Sequence, residues 1–168
     1  MAKRIPWLVC VSLVVVSGLS AEEPALLHTF SGRGNSADTF VFSQNGRTLI
    51  SGGLDGAIVF WDVSTGESIA KCREHSSVEG LALLSKQSNI SVSAGSPPVY
   101  STNEIPAPPI ILWDVAKREK VATLGDVVHG LVMSMAVSPN GTCIALGVLS
   151  TDFVGDPFRV ELWDTKSQ

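Results

Sequence analysis

Beyond an N-terminal apolar run, hydrophobic residues come in short stretches separated by Gly, Asn, Asp and Ser clusters, and none recurs with a helical period. These stretches predict strands from Leu26 to Phe30 (LLHTF), Thr39 to Ser43, Arg47 to Ser51, Ala57 to Phe60 and Glu67 to Lys71. Turns are predicted at Gln44-Asn45-Gly46, Asp55-Gly56 and Ser64-Thr65-Gly66. The clearest stretch is Ser51 to Val63, SGGLDGAIVFWDV. Asp-Gly between two β-rich runs signals a hairpin, because the turn needs positive φ and Gly supplies it without steric cost.

The same order of elements returns twice. The endings FWDV, ILWDV and LWDT close three units at Trp61-Asp62, Trp113-Asp114 and Trp163-Asp164, about 50 residues apart. The second unit is expected to have strands from Val78 to Leu84 and Ile90 to Ser93, and the third from Leu131 to Val137 and Thr142 to Gly147. Setting Ser43, Ser85 and Ser138 in register aligns the units. Ser51 then lies 10 residues before Trp61, Ser93 lies 20 before Trp113, and Leu146 lies 17 before Trp163. All the extra length falls between the second and third strands of a unit.

The N-terminus changes how the composition reads. Lys3 and Arg4, the apolar run Trp7 to Val16 and the small residues Ser17 to Ala21 describe a signal peptide over residues 1–21, an N-terminal signal helix removed on export. The alternative is an uncleaved membrane anchor through residues 5–19, shorter than the roughly 18 residues a spanning helix needs. A periplasmic or secreted protein is therefore expected, membrane-bound only if the leader is retained. The net charge is −4, and −6 once Lys3 and Arg4 are set aside, so the basic footprint of a nucleic-acid binder is missing. Cys10, Cys72 and Cys143 form no CxxC pair and no ligand cluster, and the last two read as buried thiols that could oxidise outside the cytoplasm.

The segments FSQNGRTLISGGLDGAIVFWD, VSPNGTCIALG and FRVELWD together resemble the WD40 repeat family over nearly all of residues 22–168. That resemblance implies an all-β, partial WD40-type β-propeller of about three antiparallel four-stranded blades, in units of about 26–72, 73–124 and 125–168. It also implies a buried polar relay of His, Ser or Thr, Asp and Trp in each blade. The first unit offers Ser51, Asp55 and Trp61, with Arg33 where His is expected and placed to pair with Asp55. The second offers His75, Ser93 and Trp113 without the Asp, and the third only Trp163, with His129 out of line. Polar satisfaction in these blades must then come from elsewhere or be lost.

No catalytic residues, cofactor or metal ligands are expected. His28, His75 and His129 sit at strand ends or between units, and Asp152 and Asp156 lack the ligand order of a calcium loop. Asp62, Asp114 and Asp164 repeat with the unit and read as structural. The informative departures are two long loops, Gly95 to Pro109 with five prolines, and Gly147 to Pro157. In a propeller both project from one rim, which makes Tyr100, Glu104, Ile105, Asp152 and Phe153 the candidate partner contacts. The implied function is a non-enzymatic scaffold with protein partners, the alternatives being a remnant of a longer propeller or a propeller-type enzyme subunit.

Strand counting sharpens the partner question. The third unit lacks an outer strand, and LLHTF is an outer strand without a unit. Three blades are too few to close a ring, whereas two chains joined head to tail, each lending LLHTF to the other, would make a two-fold homodimer of six.

Overall fold

A computed structural model describes residues 25–31, 37–84, 89–96, 109–124, 130–150 and 157–165. Among them are eleven strands and no helix, in three antiparallel sheets. The first sheet has the order β1 (Thr39–Phe42), β2 (Thr48–Gly52), β3 (Ala57–Asp62), β4 (Ser68–Arg73). The second repeats it with β5 (Ser77–Leu83), β6 (Ile90–Ser96), β7 (Ile110–Asp114) and β8 (Glu119–Leu124). The third has β9 (Leu131–Val137), β10 (Cys143–Leu149) and β11 (Phe158–Asp164), with β11 at its edge.

Turn chemistry explains each meander. Ser43 donates its hydroxyl to Asn45 Oδ1 at 2.8 Å and accepts the Thr48 amide at 2.9 Å. Ser138 does the same with Asn140 and the Cys143 amide at 2.8 and 2.9 Å. Gly46 and Gly141 complete these turns at φ 68° and 70°, where a side chain would be strained. The second sheet differs. Its turn is one residue longer: the Leu84 amide bonds Ile90 O, as the Ser43 amide bonds Thr48 O. Leu84, not Ser85, therefore stands in the place of Ser43 and Ser138, which corrects the register expected from the serines alone.

The Trp-Asp endings form the next turn. Asp62 Oδ1 accepts the amides of Ser64 and Thr65 at 2.8 and 3.1 Å, and Asp114 Oδ1 accepts those of Ala116 and Lys117, both at 2.9 Å. The Ser64 hydroxyl and these amides hold the Asp62 carboxyl below the usual carboxylate range. Each turn closes on a left-handed residue, Gly66 at φ 74° but Arg118 at φ 62°. A non-Gly residue pays about 1–2 kcal/mol there. Arg118→Gly is accordingly expected to stabilise the protein by about 0.5–1 kcal/mol, part of the relief being offset by unfolded-chain entropy. Thermal unfolding of the variant beside the native chain checks the sign.

Two cores lie between the sheets. Ile50, Ile58 and Phe60 of the first blade meet Val78, Leu81, Ile111, Trp113 and Val115, all buried. Val92, Ala94 and Ile110 of the second meet Val132, Ile144, Leu146 and Val148. At each seam the tryptophan-bearing face of one blade covers the opposite face of the blade before it. Bulges fall beside Trp61 and Trp113, where β3 and β7 shift register against their outer strands.

One expected strand is absent. Residues 25–31, including LLHTF, pair with no strand. They lie instead beside the first blade, with the Phe30 ring 5.8 Å from that of Trp61 in an edge-to-face contact. Its described contacts are made by side chains against the blade, not through a ladder with the neighbouring β4 edge. The signal peptide expected over residues 1–21 falls outside the described residues.

Candidate interaction site: blade relays, free faces and rim loops

The polar relay is most complete in the second blade. His75 Nε2 and the Ser93 hydroxyl are 2.8 Å apart, and the Trp113 indole donates to the same hydroxyl at 2.8 Å. All three side chains are buried, and Trp113 meets the Phe60 ring edge to face at 6.4 Å. Burial pushes His75 down to about 4, so the imidazole is neutral at physiological pH. The relay thus joins the start of β5 to β6 and β7 across the blade.

The first blade has a shorter version, the Trp61 indole donating to Ser51 Oγ at 2.8 Å. Arg33 falls outside the described residues. Among the described residues Asp55 is 3.7 Å from both Lys71 Nζ and Arg73 Nη2 on β4, with its side chain almost buried and the two cations exposed. The third blade replaces the serine with Leu146, which is fully buried in the second core. Its Trp163 indole finds another acceptor, Glu161 Oε2 at 3.1 Å, and Glu161 Oε1 takes the Arg159 guanidinium at 2.8 Å. Sequence reasoning missed Glu161. The signal was present, since strand residues two apart share a face.

The remaining candidate groups are dispersed. His28 lies against the β3–β4 turn beside Gly66 and next to Phe30, while His129 is outside the described residues. Cys72 and Cys143 are free thiols, partly exposed rather than buried as expected, and the Cys72 thiol, raised by partial burial and then by Glu74, rests 3.8 Å from Arg118 O. Among the described residues no three His, Cys, Asp or Glu side chains gather around a common metal position. Among them, too, no helix is long and apolar enough to cross a membrane.

Two kinds of surface are left for partners. The connections after β6 and β10 are the long ones, and Tyr100, Glu104, Ile105, Asp152 and Phe153 within them lie outside the described residues. The β2–β3 turn sits at the same end, because Gly53 O accepts the Val78 amide at the start of β5. The other surfaces are the two blade faces that no other described blade covers. Phe40 and Phe42 stand 63% and 55% exposed on the first blade, and Phe158, Val160 and Leu162 stand 68%, 77% and 73% exposed on the third.

Comparison with known proteins follows this geometry. Residues 24–62 match the WD40 family, described as WD domain, G-beta repeat. Among solved structures, a chain from a crystal structure of a mitotic checkpoint complex superimposes with a TM-score of 0.63 at 22% identity, over 82% of this chain. This chain spans 38% of the length of that one. Residues 24–62 thus match a WD40 repeat, and the three sheets together have the fold of a partial WD40-type β-propeller.

Proposed function

We propose that this protein is a non-enzymatic interaction scaffold that works outside the cytoplasm after export through residues 1–21. The observation that carries the reading is the uneven blade construction. The first blade turns between its second and third strands in four residues, 53–56, whereas the other two spend 97–109 and 150–157 on the same connection. Length added at one rim of a repeated sheet builds contact surface without disturbing the cores below. Prolines lower the entropy lost when such a loop is ordered by a partner, and Tyr100, Ile105 and Phe153 supply apolar anchors. Protein partners at this rim, and a second copy of the chain at the blade faces, make up the proposed interactions.

The test is affinity capture from the extracytoplasmic fraction with the native chain and with a Tyr100→Ala, Ile105→Ala, Phe153→Ala variant. Loss of the same captured proteins in the variant, with the far-ultraviolet circular dichroism spectrum unchanged, is the expected result. An identical set of captured proteins would remove the rim from the proposal. Retention of the chain in the cytoplasm would remove the export.

A further inference from the structure

Asparagine is chemically labile, most of all before glycine, which puts no Cβ in the path of an attacking backbone amide. The chain has that dipeptide twice, at Asn45-Gly46 and Asn140-Gly141, each in the turn between the first two strands of a blade. In a loose chain both are sites of deamidation. The glycine nitrogen bonds to the asparagine Cγ, the Cγ–Nδ2 bond breaks, and ammonia leaves with the amide proton. Water then opens the succinimide at either carbonyl, giving aspartate or isoaspartate. Nothing is oxidised or reduced, and water is the one co-reactant.

The folded blade holds both pairs away from this reaction. Gly46 donates its amide to Ser43 O at 2.9 Å, and Gly141 donates to Ser138 O at 2.8 Å, so each attacking nitrogen is engaged. The carbonyl under attack is engaged as well. Asn45 Oδ1 accepts the Ser43 hydroxyl at 2.8 Å and the Arg47 amide at 3.0 Å. Asn140 Oδ1 accepts the Ser138 hydroxyl at 2.8 Å, the Thr142 amide at 3.1 Å and the Thr142 hydroxyl at 2.9 Å. Ring closure needs Cγ to swing onto the glycine nitrogen, which breaks these bonds together. The turn has to open first.

The two turns are not held equally. Asn45 Oδ1 has two donors and Asn140 Oδ1 has three. A Cβ on Gly46 would meet open space, whereas Gly141 is buried and its carbonyl accepts the Thr165 hydroxyl at 2.8 Å. Strand β1 has four residues, against seven in each of β9 and β10, so the first turn has less ladder behind it. We infer that Asn45 and Asn140 are latched deamidation sites, closed in the folded blade and released by local opening of their turns, Asn45 ahead of Asn140. The products differ in consequence. Aspartate at position 45 keeps an acceptor for Ser43 and Arg47 and adds one negative charge. Isoaspartate moves Cβ into the main chain, so the turn from Ser43 to Thr48 no longer closes on its former bonds. Both turns lie at the blade end opposite the long connections, which makes the inference independent of the scaffold reading.

Peptide mapping by mass spectrometry tests it, on the full chain incubated at mildly alkaline pH with and without unfolding urea. Conversion of both asparagines to the acid forms is expected in urea. Without urea each site should convert about 10- to 100-fold more slowly, because only the small population with an open turn reacts. Asn45 should convert first. Ser43→Ala removes a donor to Asn45 Oδ1 and the acceptor of the Thr48 amide. It is expected to speed Asn45 about 5- to 10-fold and to leave Asn140 unchanged. Ser138→Ala, which removes the same two bonds from the other turn, should do the reverse. Equal rates with and without urea overturn the latch, and conversion of Asn140 first overturns the order. Either variant speeding both sites alike shows opening to be global and overturns the local release. An absence of conversion in urea removes the sites altogether.

Discussion

Ser93→Ala is expected to lower stability by about 3–4 kcal/mol, a large loss for removing one oxygen. The hydroxyl serves two buried partners, the Trp113 indole and His75 Nε2, each 2.8 Å away. Alanine leaves both without a bond at positions water does not reach, and each stranded polar group costs about 1–3 kcal/mol. The hydrophobic contribution barely changes, so the loss comes almost wholly from unmet hydrogen bonds. Ser91 is the matched control on the same strand. It is also fully buried, yet its hydroxyl has no partner among the described residues, so Ser91→Ala should be neutral or slightly stabilising. Urea midpoints of the two variants check the contrast, and equal losses would show that β6 resists any substitution rather than depending on the relay.

His75 is expected to make the protein acid-sensitive through the same relay. In the unfolded chain the imidazole titrates near its ordinary value of 6.5, and in the folded blade near 4, because burial disfavours the cation. Above pH 6.5 both states hold a neutral ring and no stability depends on pH through this group. Between 6.5 and 4 the unfolded chain takes up a proton that the folded one refuses, so stability falls with pH, by about 3 kcal/mol over the window. Glu74 favours the cation and Lys120 opposes it, and the two pair with each other at 2.7 Å. His75→Gln keeps an amide nitrogen near the ring Nε2 and cannot titrate. The variant should lose the slope between pH 6.5 and 4 that the native chain shows beyond its carboxylates. Parallel stability curves for the two proteins would assign the acid response to other groups.

The relay and the turns were legible to different degrees. Asp55-Gly56 announced its hairpin because its demand is local: Gly56 adopts φ 72°, and a Cβ there would also strike the His75 carbonyl at 1.9 Å. The turn after Asp62 was equally readable, since an aspartate accepting amides two and three residues on needs nothing from the rest of the chain, and Asp114 builds the same turn. Glu161 was harder. Its role follows only from Leu146 having removed the usual acceptor, which leaves the Trp163 indole to find another on its own face. Arg118 was illegible, because the left-handed position it fills is set by the Asp114 turn and not by any preference of arginine.

The sequence by itself determined the blade: its strands, their order, and the tryptophan that closes each one. Those features depend on alternation, turn residues and one hydrogen-bond donor, all encoded within about 40 residues. Only the tertiary structure decided the seams. It placed Leu84 where a serine was expected, left residues 25–31 without a strand partner, and exposed Val160 and Leu162 at positions buried in the first blade. The reason is physical. Whether a segment pairs, or an apolar face is covered, depends on a neighbouring surface that alternation along the chain does not specify.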